Sequence, residues 1–113
     1  MLELDRIFKA LSDPARMKIL EFLRAPGVGC CTFDGQICAC DVERISGLSQ
    51  ATVSHHMKLL IDAGLVSATK RGRWMHYTLR QDVFSQAMAW LANFASHPQA
   101  QAPQSCAPKC ATP

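Results

Sequence analysis

At 113 residues the chain has room for one small domain with a modest core, and its net charge of +3 is only mildly basic. No run approaches the roughly 20 apolar residues that cross a bilayer, and Met1-Leu2-Glu3-Leu4-Asp5-Arg6 lacks a signal-peptide core. The expectation is therefore a cytoplasmic chain with no membrane partner, whose six cysteines are reduced and suit metal ligation or redox sensing better than a disulfide scaffold.

Leu2, Leu4, Ile7, Phe8 and Leu11 recur at helical spacing and predict a first amphipathic helix over residues 2–11. Ser12-Asp13-Pro14 breaks it and opens a second. Asp13 suits the N-cap, and Pro14 suits the first helical position, where its missing N–H costs nothing. Met17, Leu20 and Leu23 are expected inward, with Ile19 and Phe22 at the margins and Arg16, Lys18, Glu21 and Arg24 on the wet face. Pro26-Gly27 ends that helix, and residues 26–37 predict a glycine-rich loop.

A short helix is expected over residues 41–46, closed by Gly47. Ser49 caps a stronger one over residues 50–63, with Val53, Met57 and Leu60 buried and Gly64 at the left-handed position of its C-terminus. Two such helices joined by Gly47-Leu48-Ser49 match a helix-turn-helix. Residues 65–69 and 74–79 then read as strands, with Lys70-Arg71-Gly72-Arg73 as the turn of a basic hairpin. Residues 83–95 return to helix, and Val83, Phe84, Ala87, Met88, Trp90, Leu91 and Phe94 give it a broad apolar face. Beyond Ser96, Pro, Gln, Ala and Ser dominate and predict a flexible tail. The fold class is mainly α with a small β-hairpin: one domain over residues 1–95 and a tail over residues 96–113.

The helix-turn-helix and the basic hairpin together point to double-stranded DNA. A recognition helix brings its N-terminal turn to base edges in the major groove. Here that stretch offers Ser49, Gln50, Thr52, Ser54, His55 and Lys58. Gln50 can read adenine bidentately, and the hydroxyls suit bases or phosphates. Lys70, Arg71 and Arg73 at the hairpin tip would lie on phosphates or enter the minor groove. His56, at the margin of the buried face, reads as a hydrogen-bonded structural histidine rather than a base reader.

Cys30, Cys31, Cys38 and Cys40 cluster just before this element, and thiolates select thiophilic ions. Zinc and cadmium favour four tetrahedral ligands, which these four thiols can supply. Trivalent arsenic and antimony favour a pyramid of three. A permanent zinc staple and a disulfide between the Cys30-Cys31 and Cys38-Cys40 pairs are the alternatives, since clustered thiols are oxidisable. Cys106 and Cys110, on the tail, read as bystanders or as a flexible arm of the site. Neither a phosphate-type loop nor a Cys-x-x-Cys is present, so the chain is not expected to be an enzyme.

Ser12-Asp13-Pro14-Ala15-Arg16, Ile37-Cys38-Ala39-Cys40-Asp41-Val42, Leu48-Ser49-Gln50-Ala51-Thr52-Val53-Ser54-His55-His56-Met57 and Gly72-Arg73-Trp74-Met75-His76-Tyr77 together resemble the ArsR/SmtB family of bacterial metal-sensing repressors. The resemblance spans about residues 2–95. It implies a winged helix-turn-helix homodimer, joined through the first and last helices, that binds operator DNA without ion and leaves when ion binds. Cys38 and Cys40 match the Cys-x-Cys-Asp motif of the arsenic- and cadmium-type sensors. Where the common arsenic form has a third cysteine this chain has Glu43, and Cys30-Cys31 stands ready to replace it. The family's second zinc site falls on Gln81, Val83, Phe94 and His97, of which only His97 can ligate. The resemblance thus implies As(III) or Sb(III) as inducer, with Cd(II), Pb(II) or Zn(II) as alternatives.

Overall fold

A computed structural model describes residues 3–26, 32–33 and 36–96 of the chain. Cys30, Cys31, Cys106, Cys110, His97 and the expected tail lie outside the described residues. Among the described residues five helices and four strands follow one another: α1 (Leu4–Leu11), α2 (Pro14–Arg24), β1 (Thr32–Phe33), β2 (Gln36–Cys38), α3 (Ala39–Ser46), α4 (Gln50–Asp62), β3 (Val66–Arg71), β4 (Trp74–Leu79) and α5 (Gln81–Ala95). No helix among the described residues is long and apolar enough to cross a membrane.

Local signals account for most boundaries. Asp13 accepts from the backbone N–H groups of Ala15 and Arg16, satisfying two of the orphan donors at the start of α2, with Pro14 next in line. Ser49 does the same for α4 through the Thr52 N–H. Gly47 ends α3 at φ +70°, and Gly64 follows α4 at φ +81°, a conformation a Cβ would strain. Ile7, Ile19, Val42, Val53, Met57, Leu60 and Leu65 form the innermost core, which locks α1, α2, α3 and α4 against the sheet. Truncating a side chain such as Leu60 to alanine should cost about 2–5 kcal/mol.

The expected glycine loop differs from the observed chain. Part of it pairs: Ile37 lies opposite Tyr77 and Cys38 opposite His76, so β2 extends the β3–β4 hairpin into an antiparallel sheet of order β1-β2-β4-β3. An apolar Ile37 at 2 % exposure explains the pairing, because its burial requires the strand to lie along β4. The following helix consequently begins at Ala39, two residues before Asp41. The hairpin turn narrows to Gly72-Arg73 because β3 runs through Lys70 and Arg71.

Two expectations for α2 are corrected. Met17 is exposed, and the inward face is instead Ile19, Leu20, Phe22 and Leu23. Arg16 is not on the wet face; its side chain is 12 % exposed, held between α1 and α4. The last helix also starts earlier than expected, at Gln81, and buries only Val83 and Ala87.

Candidate functional site

On α4, Ser54, His55 and Lys58 are exposed on the side away from the buried Val53, Met57 and Leu60, and Gln50 is exposed in the first turn. Ser54 and Lys58 are four residues apart with His55 beside them, so these three lie along one stripe of the helix. Ser49 and Thr52 stand at its N-terminal end, but their hydroxyls are engaged with each other at 2.9 Å, and Ser49 also caps the helix. They support the reading turn as much as they offer contacts. Lys58 reaches Asp62 at 3.3 Å, an exposed pair that a phosphate can outcompete.

Lys70, Arg71 and Arg73 are exposed at the tip of the β3–β4 wing. Arg71 is oriented by a residue the sequence gives no reason to single out. Gln36, on β2, accepts from Arg71 Nε at 3.0 Å and donates to Thr69 Oγ1 at 3.4 Å. A side chain from the strand that leads into the thiol pair thus reaches the wing.

Cys38 and Cys40 are brought together by the strand-to-helix junction. Cys38 is the N-cap of α3, with extended backbone at φ −68° and ψ 143°, and its sulfur accepts from the Cys40 N–H at 3.4 Å. The two sulfurs lie 2.8 Å apart, one buried and one half-buried, with no disulfide between them. Two thiolates bound to one tetrahedral ion at about 2.3 Å each stand roughly 3.8 Å apart, so spreading this pair by about 1 Å makes it bidentate. Among the described residues no group of three or more His, Cys, Asp or Glu is placed to hold a metal ion. Cys30 and Cys31 lie outside the described residues.

The surroundings of the pair are acidic and firmly anchored. Asp41 is buried, with Arg44 at 3.4 Å. Tyr77 is held neutral: burial pushes its hydroxyl pKa up, and Glu43 and Cys38 push it further. Arg16, expected on the wet face, donates to the Ala10 carbonyl at 2.7 Å and the Lys9 carbonyl at 3.3 Å, and to His56 Nδ1 at 3.2 Å. His56 is therefore half-buried and hydrogen-bonded, as expected.

The exposed side chains of Met88, Leu91 and Phe94 continue from Trp90, whose ring lies 5.5 Å from that of Phe8 on α1 and 4.7 Å from that of Phe94. α1 and α5 thus share one uncovered apolar face.

Comparison with known proteins gives this arrangement its context. The family model described as bacterial regulatory protein, arsR family, matches residues 13–68. The transcriptional repressor SdpR of Bacillus subtilis is 31 % identical over 80 % of this chain and 91 % of its own length. An arsenical resistance operon repressor of Staphylococcus xylosus is 41 % identical, over 71 % of this chain and 68 % of its own. A cadmium resistance transcriptional regulatory protein, a CadC homolog of Staphylococcus aureus, is 35 % identical over 75 % and 64 %. Among solved structures, an ArsR-like transcriptional regulator from Rhodococcus sp. RHA1 superposes with a TM-score of 0.66 at 26 % identity, covering 83 % of this chain and 80 % of that one. A homodimeric winged helix-turn-helix DNA-binding domain from Mycobacterium bovis has the same fold, with a TM-score of 0.59 at 24 % identity over 83 % of this chain and 80 % of its own. The chain belongs to the ArsR family, whose members are winged helix-turn-helix transcriptional regulators and not enzymes.

Proposed function

We propose that the protein is a cytoplasmic, metalloid-responsive repressor: a homodimer that holds operator DNA without ion and releases it when As(III) or Sb(III) is captured by cysteine thiolates. The observation that carries this reading is the Cys38–Cys40 pair, with sulfurs 2.8 Å apart at the first turn of α3, the helix that opens the helix-turn-helix. Cys38 and Cys40 would supply two thiolates and Cys30 or Cys31 the third. Gly47 alone separates the end of α3 from Leu48-Ser49 and α4, so a displacement of α3 reaches the reading helix directly.

DNA contact is assigned to Ser49, Gln50, Thr52, Ser54, His55 and Lys58 on the reading helix and to Lys70, Arg71 and Arg73 on the wing. Dimerisation is assigned to α1 and α5, whose uncovered apolar face a second copy would bury. One domain over residues 1–95 carries both tasks, with residues 96–113 as a tail. Coupling between two such sites is typically about 1–3 kcal/mol, so ion capture should weaken operator binding roughly 5- to 150-fold.

A cadmium-, lead- or zinc-responsive repressor is the second reading, supported by the 35 % identity to a cadmium-resistance regulator and by Glu43, where the family resemblance implies a third cysteine in the common arsenic form. X-ray absorption of the arsenite-loaded protein separates the two. Three sulfur neighbours support the pyramidal site. Failure to bind arsenite, with four sulfurs around cadmium, gives the second reading the site. A promoter fragment that stays bound under every thiophilic ion overturns both.

A further inference from the structure

Arg16 is a junction between three elements. Arginine has five donors and no acceptor, arranged in a rigid plane. Its Nε and Nη2 meet the carbonyls of Ala10 and Lys9 in the last turn of α1, the Lys9 carbonyl also accepting from the backbone N–H and Oγ of Ser12. A positive charge is also favourable at that end of the helix. Its Nη1 meets His56 Nδ1 on α4 at 3.2 Å and stands 3.8 Å from Asp13 Oδ2. Because Arg16 can only donate, Nδ1 must accept.

The apolar contacts between α1, α2 and α4 fix how near the helices lie. They are non-directional, so a small turn of one helix on another costs them less than it costs a directional contact. The Arg16 fork is directional, and His56 stands between His55 on the reading stripe and the buried Met57. We propose that the Arg16–His56 hydrogen bond sets the orientation of α4 on α1, making His56 a positioning residue for operator binding rather than a DNA contact. This rests on the reading that α4 enters operator DNA while α1 belongs to the dimer interface. In such a dimer the bond fixes where each reading helix points relative to its twin, and both must match successive major grooves.

The fold should survive loss of the bond. A cleft of about 350 Å³ lined by Arg6, Lys9, Ala10, Arg16, Leu59 and Asp62 lies beside the guanidinium and lets water take over the vacated donor. The test compares His56→Leu, which keeps the volume but has no acceptor, with His56→Asn, whose Oδ1 falls where Nδ1 was. Binding is measured by fluorescence anisotropy on a duplex carrying the promoter upstream of the chain's own reading frame and on a scrambled duplex. Sedimentation and thermal melts check assembly.

The expected result is that His56→Leu weakens promoter binding by roughly tenfold, within the usual range of intersite coupling, while scrambled-duplex binding and dimerisation stay unchanged. His56→Asn should bind within about twofold of the original protein, a difference below the usual span of coupling. Equal promoter affinity for His56→Leu and the original overturns the proposal. So does equal weakening in both variants, or weakening on both duplexes alike, which marks a direct contact. If His56→Leu does not fold, Arg16→Lys carries the test, since it keeps the charge but loses the fork; unchanged promoter affinity there is equally fatal. If the original protein ignores the promoter, the repressor reading fails instead.

Discussion

Gln36 Oε1 accepts a hydrogen bond from Arg71 Nε at 3.0 Å, joining the strand that ends in Cys38 to the basic wing. Gln36 and Cys38, two residues apart on β2, are on the same face of the strand by its period of two. The pair is exposed, so Gln36→Ala should change stability by no more than about 0.5 kcal/mol. Its effect belongs to the wing. Arg71→Ala should reduce the salt slope of operator binding by about one phosphate contact, whereas Gln36→Ala should leave that slope unchanged because the charge remains. Binding titrations over a range of salt check both. An unchanged slope for Arg71→Ala removes it from the interface.

The thiol assignment predicts a separation of functions. Cys38→Ser and Cys40→Ser should hold operator DNA within about twofold of the original protein, because neither touches DNA, and should lose the roughly 5- to 150-fold release by arsenite. Anisotropy with arsenite titrated into the complex measures both quantities. Normal release from either variant would strike that cysteine from the ligand set.

Asp13 ties acid sensitivity to one cap. Its backbone hydrogen bond from Ala15, with help from Arg16, holds its carboxyl below the ordinary value of 3.8. A carboxylate with a depressed folded pKa contributes stability that is full above its unfolded value and fades as pH falls through the folded one. Asp13→Ala should lower the melting temperature by a few degrees at pH 7, and Asp13→Asn by less, since asparagine also caps well. The difference between Asp13→Asn and the original protein should shrink as melts are repeated from pH 5 towards pH 2. A difference that stays constant over that range rules out the cap as its source.

The uncovered face of α5 makes assembly testable. Met88 and Phe94 are 67 % and 63 % exposed in the single chain, a poor place for large apolar side chains without a partner. Met88→Glu with Leu91→Glu should shift the protein from dimer to monomer in sedimentation, since burying each such side chain is worth about 1.5–3 kcal/mol. Operator affinity should fall with it, while helix content stays. A double variant that remains dimeric moves the interface elsewhere.

Periodicity and capping chemistry were enough to delimit α2 and α4 and to place a hairpin after them, because each is decided by residues within a turn or two of one another. Asp13-Pro14, Ser49 and Gly64 mark ends wherever they stand, and Val53, Met57 and Leu60 share a face by arithmetic alone. The Cys-x-Cys pair before a helix was legible for the same reason. Contacts between distant segments were not. That Ile37 pairs with Tyr77, that Gln36 reaches Arg71, that Met17 turns outward and that Arg16 bridges to His56 all depend on how the helices dock, and docking is decided by burial summed over the whole core. Local chemistry named the parts; only the tertiary packing, which acts between residues 35 to 40 positions apart, determined which of them are coupled.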